Sequence, residues 1–346
     1  MPNPQPFNND AGTMLGESPA FLNLLDQASR AAAVSKPVLV IGERGTGKEL
    51  VAARLHYLSP RWDAPFVKLN CATLTESLLE TELFGHEAGA FTGASRRHVG
   101  RFEQADGGTL FLDELATVSM RVQEKILRAV EYGQFERVGG DETLSVDVRI
   151  VGATNTDLPA AVRAGTFRAD LLDRLAFDVL TVPPLRVRTG DILHLAEHFA
   201  VNISRELGRE LFAGFTERAG EALMRYDWPG NVRELKNVVE RSVHRGGDNE
   251  PVDEIVLDPF ASAYRPSAEA ADESGVAAAG MAKPVASPKF PCDLKAEVAR
   301  LEVTWIERAL AEARFNQTEA APLLGLTYHQ LRALLRKHGM TKPHGA

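Results

Sequence analysis

Residues 36–48 read KPVLVIGERGTGK, and the fold turns on how this stretch is read. Val38 to Ile41 is a short apolar run rich in β-branched side chains, the pattern of a strand buried on both faces. Gly42, Gly45 and Gly47 punctuate the segment after that run, and Lys48 to Tyr57 reads as a helix. Strand, glycine-rich turn and helix in that order give Gly42-Glu43-Arg44-Gly45-Thr46-Gly47-Lys48 the setting of a phosphate-binding loop. Glycines let backbone N–H groups face phosphate oxygens, the helix N-terminus adds its positive end, and Lys48 neutralises the β- and γ-phosphates. The next position, where Ser or Thr usually offers a hydroxyl to magnesium, is Glu49. A glycine-rich turn that only caps a structural helix would use similar residues, so the reading needs a second element to handle metal and water.

Residues 107–114, GGTLFLDE, provide one: an apolar strand ending in two acids. Asp113 would hold the magnesium shell, and Glu114 would orient or deprotonate the attacking water. In isolation such a pair more often just caps the next helix; beside a phosphate-binding loop it reads as hydrolytic. A further strand ending in polar residues, Val151-Gly152-Ala153-Thr154-Asn155, places Asn155 to contact the γ-phosphate. The expected cofactors are ATP and Mg2+.

Further from the loop, buried-strand runs recur at Phe66–Leu69, Thr109–Leu112 and Val148–Gly152, separated by helical stretches such as Ser119–Tyr132. This alternation predicts an α/β fold with a mainly parallel sheet. From Asp191 to Arg245 apolar residues fall at three- and four-residue spacing, which predicts a helical lid over about 190–250. Residues 261–291, dominated by Ala, Pro, Ser and Glu, predict a flexible linker. Beyond it Leu294, Val298, Leu301, Trp305 and Leu310 mark an amphipathic helix, and two short helices around a Gly-containing turn end the chain. The expected organisation is a tail over 1–14, a motor domain over 15–260, the linker, and an all-α domain over 292–346.

Composition bounds the function classes. No window offers the roughly 20 uninterrupted apolar residues of a membrane helix, and the opening MPNPQPFNND lacks the basic and apolar regions of a signal peptide, so a cytoplasmic protein without membrane insertion is expected. Cys71 and Cys292 have no metal-ligand spacing and suggest neither a disulfide framework nor a zinc site. A formal net charge of −8 argues against a protein that coats nucleic acid. Residues 314–346 depart from that balance, with five basic residues against the single acid Glu319. Only this stretch carries the basic excess to meet a nucleic-acid backbone.

The loop and the acid pair, taken with ELFGHEAGAFTGA at 82–94, resemble the sigma-54 activators, also called bacterial enhancer-binding proteins. Members of that family end the phosphate-binding loop in GTGKE, so Glu49 agrees with the pattern. The resemblance implies an AAA+ ATPase, a P-loop sheet subdomain plus helical lid, that assembles as a homo-hexamer and remodels sigma-54 RNA polymerase holoenzyme. It implies that Gly89-Ala90-Phe91-Thr92-Gly93-Ala94 is the loop touching sigma-54, and that Asn70 is a switch sensing nucleotide state through Glu114. Arg168 and Arg174 would be arginine fingers reaching the neighbouring subunit's site, and Arg233 a second sensor from the lid. Guanidinium suits both tasks because it stays charged and offers a planar fork of donors. Each arginine, lying near Asp170, Asp173 or Glu234, also has an ordinary reading as a solvated ion-pair partner, and Asn70 one as a turn cap. One departure is Val187 before Arg188, where relatives generally carry Glu, so an acid contact is expected to be missing there.

Within the family the layout is similar to activators of the phage shock operon, which begin almost directly with the motor. The dozen or so residues before Leu15 are too few for a sensory domain of on the order of 100 residues, so regulation is expected from a partner. The resemblance implies PspA, a membrane-stress protein, as inhibitor, with Trp62 either an exposed contact for it or a buried packing residue. The C-terminal stretch Asn316–Met340 reads as a helix at Glu319–Leu324, a turn at Gly325, and a second helix capped by Thr327. Leu331, Leu334 and Leu335 would face inward. Tyr328, His329, Arg332, Arg336 and Lys337 would face outward, toward enhancer DNA. A helical hairpin used for dimerisation has the same pattern; the local charge and the resemblance to the factor-for-inversion type of tail favour DNA. The two rival functions are a general unfoldase or helicase loader, and a DNA-binding regulator whose nucleotide only switches assembly.

Overall fold

The computed structural model describes residues 14–248, 250–261, 294–313 and 316–338. The chain divides into two compact units, residues 1–262 and 263–346. The expected tail before Met14, nearly all of the expected linker, and Cys292 lie outside the described residues.

The first unit runs α1 (Pro19–Ala32), β1 (Val38–Ile41), α2 (Lys48–Tyr57), β2 (Phe66–Asn70), α3 (Glu76–Phe84), α4 (Arg101–Gln104), β3 (Thr109–Asp113), α5 (Met120–Tyr132), β4 (Gln134–Glu136), β5 (Thr143–Ser145), β6 (Arg149–Thr154), α6 (Leu158–Arg163), α7 (Ala169–Leu175), β7 (Asp178–Thr181), α8 (Thr189–Glu206), α9 (Glu217–Arg225) and α10 (Asn231–Arg245). Five strands form one parallel sheet in the order β2-β3-β6-β1-β7. Burial follows that order. The inner strands β1, β3 and β6 are almost wholly enclosed, whereas β2 and β7 at the edges are partly open. Alternate residues of each inner strand serve different cores, as the twofold period of a strand requires. Leu39, Leu110, Leu112 and Ile150 join the core that includes α3, α5 and α7, while Val38, Val40, Phe111, Val151 and Ala153 join the one beneath α1 and α2.

This architecture matches the α/β reading, and the four strands anticipated appear where expected. The edge strand β7, helix α1 and the two strands of the antiparallel hairpin β4–β5 have no counterpart in that reading. The lid, α8 to α10, has its own core around the fully buried Trp228, whose indole N–H donates to the Leu223 carbonyl at 2.9 Å. The segment before α1 is fastened to the lid by Asp191, which accepts from the Glu17 and Ser18 backbone N–H groups (2.7 and 2.8 Å) and pairs with buried Arg188 (3.0 Å). The acid contact expected to be missing beside Val187 is thus unnecessary for Arg188. Val187 itself is exposed.

The second unit contains α11 (Leu294–Glu312), α12 (Gln317–Leu323) and α13 (Tyr328–Lys337) around a small core of Ile306, Ala309, Leu310, Ala313, Ala320, Ala321, Leu331 and Leu335. Of the apolar face expected on α11, Leu310 is buried but Leu301 and Trp305 are exposed, Trp305 by 65%. The face that packs is shifted by about one position, because small alanines allow α12 to approach where a bulky Trp would hold it off. The side chains of Leu294 and Val298 lie outside the described residues.

Candidate functional site

Parallel α/β sheets gather their working residues beyond the strand C-termini, where the crossovers diverge. Here β1 and β3 end in a cleft of about 530 Å³, lined by Arg44 to Val51, Asp113, Glu114, Val182 and, from the lid, Leu195, Phe199 and Arg233 among others. The loop from Gly42 to Lys48 leads into α2 through Gly47, whose φ of +95° puts it in the left-handed region that glycine tolerates. Lys48 is buried, and its ammonium donates to the carbonyls of Gly42 (3.0 Å) and Glu43 (3.2 Å). Burial lowers its pKa, against the opposing pull of Glu114 and Asp113. Thr46 is tied to the Glu43 carbonyl at 2.8 Å. Glu49 opens toward the cleft rim and pairs with Lys68 at 2.9 Å.

Asp113 closes β3, and Glu114 follows at φ +53°, a left-handed conformation uncommon for a side-chain-bearing residue and a recurrent mark of functional sites. The expected contact between Asn70 and Glu114 is not the one made. The Asn70 amide donates to Asp113 at 3.1 Å, and its carbonyl accepts from the Ala72 N–H at 3.0 Å. Register explains this: Asn70 and Asp113 are partners across the parallel β2–β3 pair, and the left-handed turn at Glu114 carries the next carboxylate elsewhere. Asn70 thus caps a turn and touches the acid pair at once. Cys71 beside it is buried, and burial together with the two acids pushes its thiol up to about 12.

Asn155 is exposed just past the end of β6, between the strands carrying the loop and the acid pair, and does not line the cleft. Arg233 is exposed on the first turn of α10 and its backbone N–H donates to the Gly45 carbonyl at 3.3 Å. Arg168 pairs with Asp170 (2.7 Å) and Arg174 with Glu131, both away from this cleft and partly open to solvent. Within one chain they behave as surface ion-pair partners.

The Gly89–Ala94 stretch is a tight turn, largely exposed apart from buried Ala94, and closed by Gly89 N–H donating to the Ala94 carbonyl at 2.7 Å. Phe91 is 46% exposed and meets the His86 ring edge to face at 4.9 Å. Trp62 is 63% exposed, which settles it as a surface residue and not a packing one. In the second unit Thr327 caps α13 in a reciprocal pair with Gln330. Tyr328, His329, Arg332, Arg336 and Lys337 all face outward, and Leu331 and Leu335 inward. Lys337 is additionally held by Glu302 at 2.7 Å. Sequence reasoning missed Arg186 and Asn231, which grip the phosphate-binding loop from the lid side. The only signal was an arginine and an asparagine lying more than 140 residues from the loop they touch.

A parallel P-loop sheet with a helical lid, an acid pair in the cleft and an exposed glycine-flanked turn defines a class, and comparison with known proteins agrees: the chain belongs to the sigma-54-dependent activators, AAA+ ATPases that drive transcription through sigma-54 and bind DNA. Residues 14–181 match the Sigma-54 interaction domain, 186–274 the AAA+ ATPase lid domain, and 297–338 the Fis family of bacterial regulatory proteins. The Psp operon transcriptional activator of Escherichia coli K12 is 59% identical over 326 residues, 94% of this chain and 97% of that one. The Nif-specific regulatory protein of Azotobacter vinelandii is 46% identical over 92% of this chain and 57% of its own length. Among solved structures, NtrX from Brucella abortus in complex with ATP superposes with a TM-score of 0.65 at 33% identity, covering 94% of this chain and 70% of that one. Among the described residues no helix is long and apolar enough to cross a membrane.

Proposed function

We propose that this activator controls a phage shock operon, binding enhancer DNA through Tyr328, His329, Arg332, Arg336 and Lys337 and assembling into a hexameric ring. The 59% identity to the Psp operon activator over nearly its whole length supports the choice of operon. In this reading Lys48 and the loop N–H groups hold the ATP phosphates, Arg233 contacts them from the lid, Asn155 reaches the γ-phosphate from its exposed place just past β6 and outside the cleft lining, and Glu114 activates water. Arg168 and Arg174 exchange their intrachain carboxylates for the γ-phosphate of a neighbouring subunit. The partial exposure of both side chains supports such an exchange.

Magnesium fits the donor set. No group of three or more His, Cys, Asp or Glu among the described residues could hold a metal unaided. Mg2+ characteristically takes one or two carboxylates plus phosphate oxygens, and Asp113 is the carboxylate at hand. When bound, the ion would neutralise charge on the β- and γ-phosphates. Asn70, in contact with Asp113, passes the state of the phosphate end toward Gly89–Ala94, which pushes on sigma-54. PspA is the inhibitory partner in this account, and exposed Trp62 its point of contact.

The observation that carries the proposal is the convergence of Lys48, Asp113, Glu114 and Arg233 on one cleft. Glu114→Gln tests it: ATP binding should survive, hydrolysis should fall by roughly 10²–10⁴, and open-complex formation should vanish with it. Activation that persists in this variant would favour the rival in which nucleotide only switches assembly.

A further inference from the structure

Glu43 stands inside the loop that receives a triphosphate, where a carboxylate should repel its ligand. Its side chain leaves the phosphate side instead. Both oxygens engage the Arg186 guanidinium, at 2.6 and 2.8 Å, and one also accepts from the Asn231 amide at 3.1 Å. Arg186 holds the Glu43 carboxyl at about 2, far below the usual carboxylate range. Arg186 lies in the short 3₁₀ turn, residues 185–187, that joins the sheet to the lid.

Asn231 is fully buried at φ +53°. Its amide donates to Glu43 and to the Arg44 carbonyl (3.0 Å), while its oxygen accepts from the Leu185 N–H at 2.8 Å. One side chain therefore joins the phosphate-binding loop, the connecting turn and the first residue of α10. The backbones are as close: a Cβ on Gly45 would collide with the Gly230 carbonyl oxygen, and Arg233 N–H reaches the Gly45 carbonyl. Arg233 sits two residues beyond Asn231, lines the same cleft, and its side chain has no hydrogen-bond or ion-pair partner among the described residues.

We propose that Glu43, Arg186 and Asn231 form a latch through which the phosphate-binding loop fixes the lid, and that the latch thereby positions Arg233 over the nucleotide. The three act through Arg233 and are positioning residues. The inference rests on Arg233 contacting nucleotide, as proposed above.

A double-mutant cycle on the full-length protein tests it, with ATP KM and kcat, binding of a fluorescent ATP analogue, and thermal melting as readouts. Arg233→Ala alone should raise KM about tenfold, worth about 1.4 kcal/mol. In a Glu43→Ala background, itself impaired, the same change should add less than about twofold, because an unlatched lid no longer presents Arg233. Glu43→Gln, whose amide oxygen can still accept from one Arg186 nitrogen and from Asn231 while its NH2 gives up the second Arg186 bond, should restore part of the Arg233 effect. Asn231→Gly, which tolerates the positive φ while losing the amide, should behave like Glu43→Ala if the latter melts too low to assay. Effects of Arg233→Ala that multiply unchanged in both backgrounds would overturn the latch alone. An Arg233→Ala that leaves nucleotide binding untouched in the otherwise native protein would overturn the role of Arg233 itself, and the latch with it.

Discussion

Gly45 and Gly93 both adopt positive φ, +78° and +108°, for opposite reasons. At Gly45 there is no space: the lid backbone at Gly230 occupies the position a Cβ would need. At Gly93, and at Gly89 on the other side of the turn, a Cβ would meet nothing within 4 Å. The first glycine permits packing and the second permits a conformation. The difference separates a cleft whose geometry is locked by the lid from a finger held mainly by its own turn hydrogen bonds and free to meet a partner.

Substituting each glycine should therefore have a different consequence. Gly45→Ala forces loop and lid apart at a site that also dislikes a side chain, so a loss of roughly 3 kcal/mol or more in stability is expected. ATP hydrolysis should disappear with it, as read by melting and phosphate release. Gly93→Ala meets no neighbour and should cost only about 1–2 kcal/mol, with ATP hydrolysis nearly intact and sigma-54 activation impaired. Equal losses of hydrolysis in both variants would erase the distinction.

The smallest effect concerns Glu43. Its pKa is depressed from the ordinary 4.5 to about 2 in the folded protein, chiefly by Arg186. A carboxyl lowered on folding contributes stability that is present above pH 4.5 and lost as pH falls toward about 2. The pair is partly exposed, so solvent screening keeps this modest. The melting difference between the native chain and Glu43→Gln should be greatest above pH 5 (about half a unit over the ordinary value) and shrink steadily on acidification. A difference independent of pH would mean the Arg186 pair contributes nothing.

The fold was legible where burial leaves a local signature. The enclosed strands β1, β3 and β6 are continuous apolar runs, and α13 carries both its cap and its inward leucines in the sequence. Edge strand β7 was not, since DVLT at 178–181 is half exposed and lacks such a run. Helix α11 misled because its largest apolar residue, Trp305, faces outward while small alanines pack. At the site, the loop, the acid pair and the exposed turn are contiguous strings and could be read directly. That Asn70 meets Asp113 in this structure follows from strand register, which the local sequence does not display. The Glu43–Arg186–Asn231 contacts join residues 143 and 188 positions apart, and nothing local announces them.

In the proposed mechanism, phosphate loss in the cleft is delivered to sigma-54 through the Gly89–Ala94 turn. Thr92→Ala, exposed and remote from the cleft, isolates it when open-complex formation by sigma-54 holoenzyme is measured per ATP hydrolysed. Hydrolysis should stay within about twofold of the native rate, a change of under about 0.5 kcal/mol, and open complexes should fall to background. Open complexes formed at the native yield per ATP would contradict it.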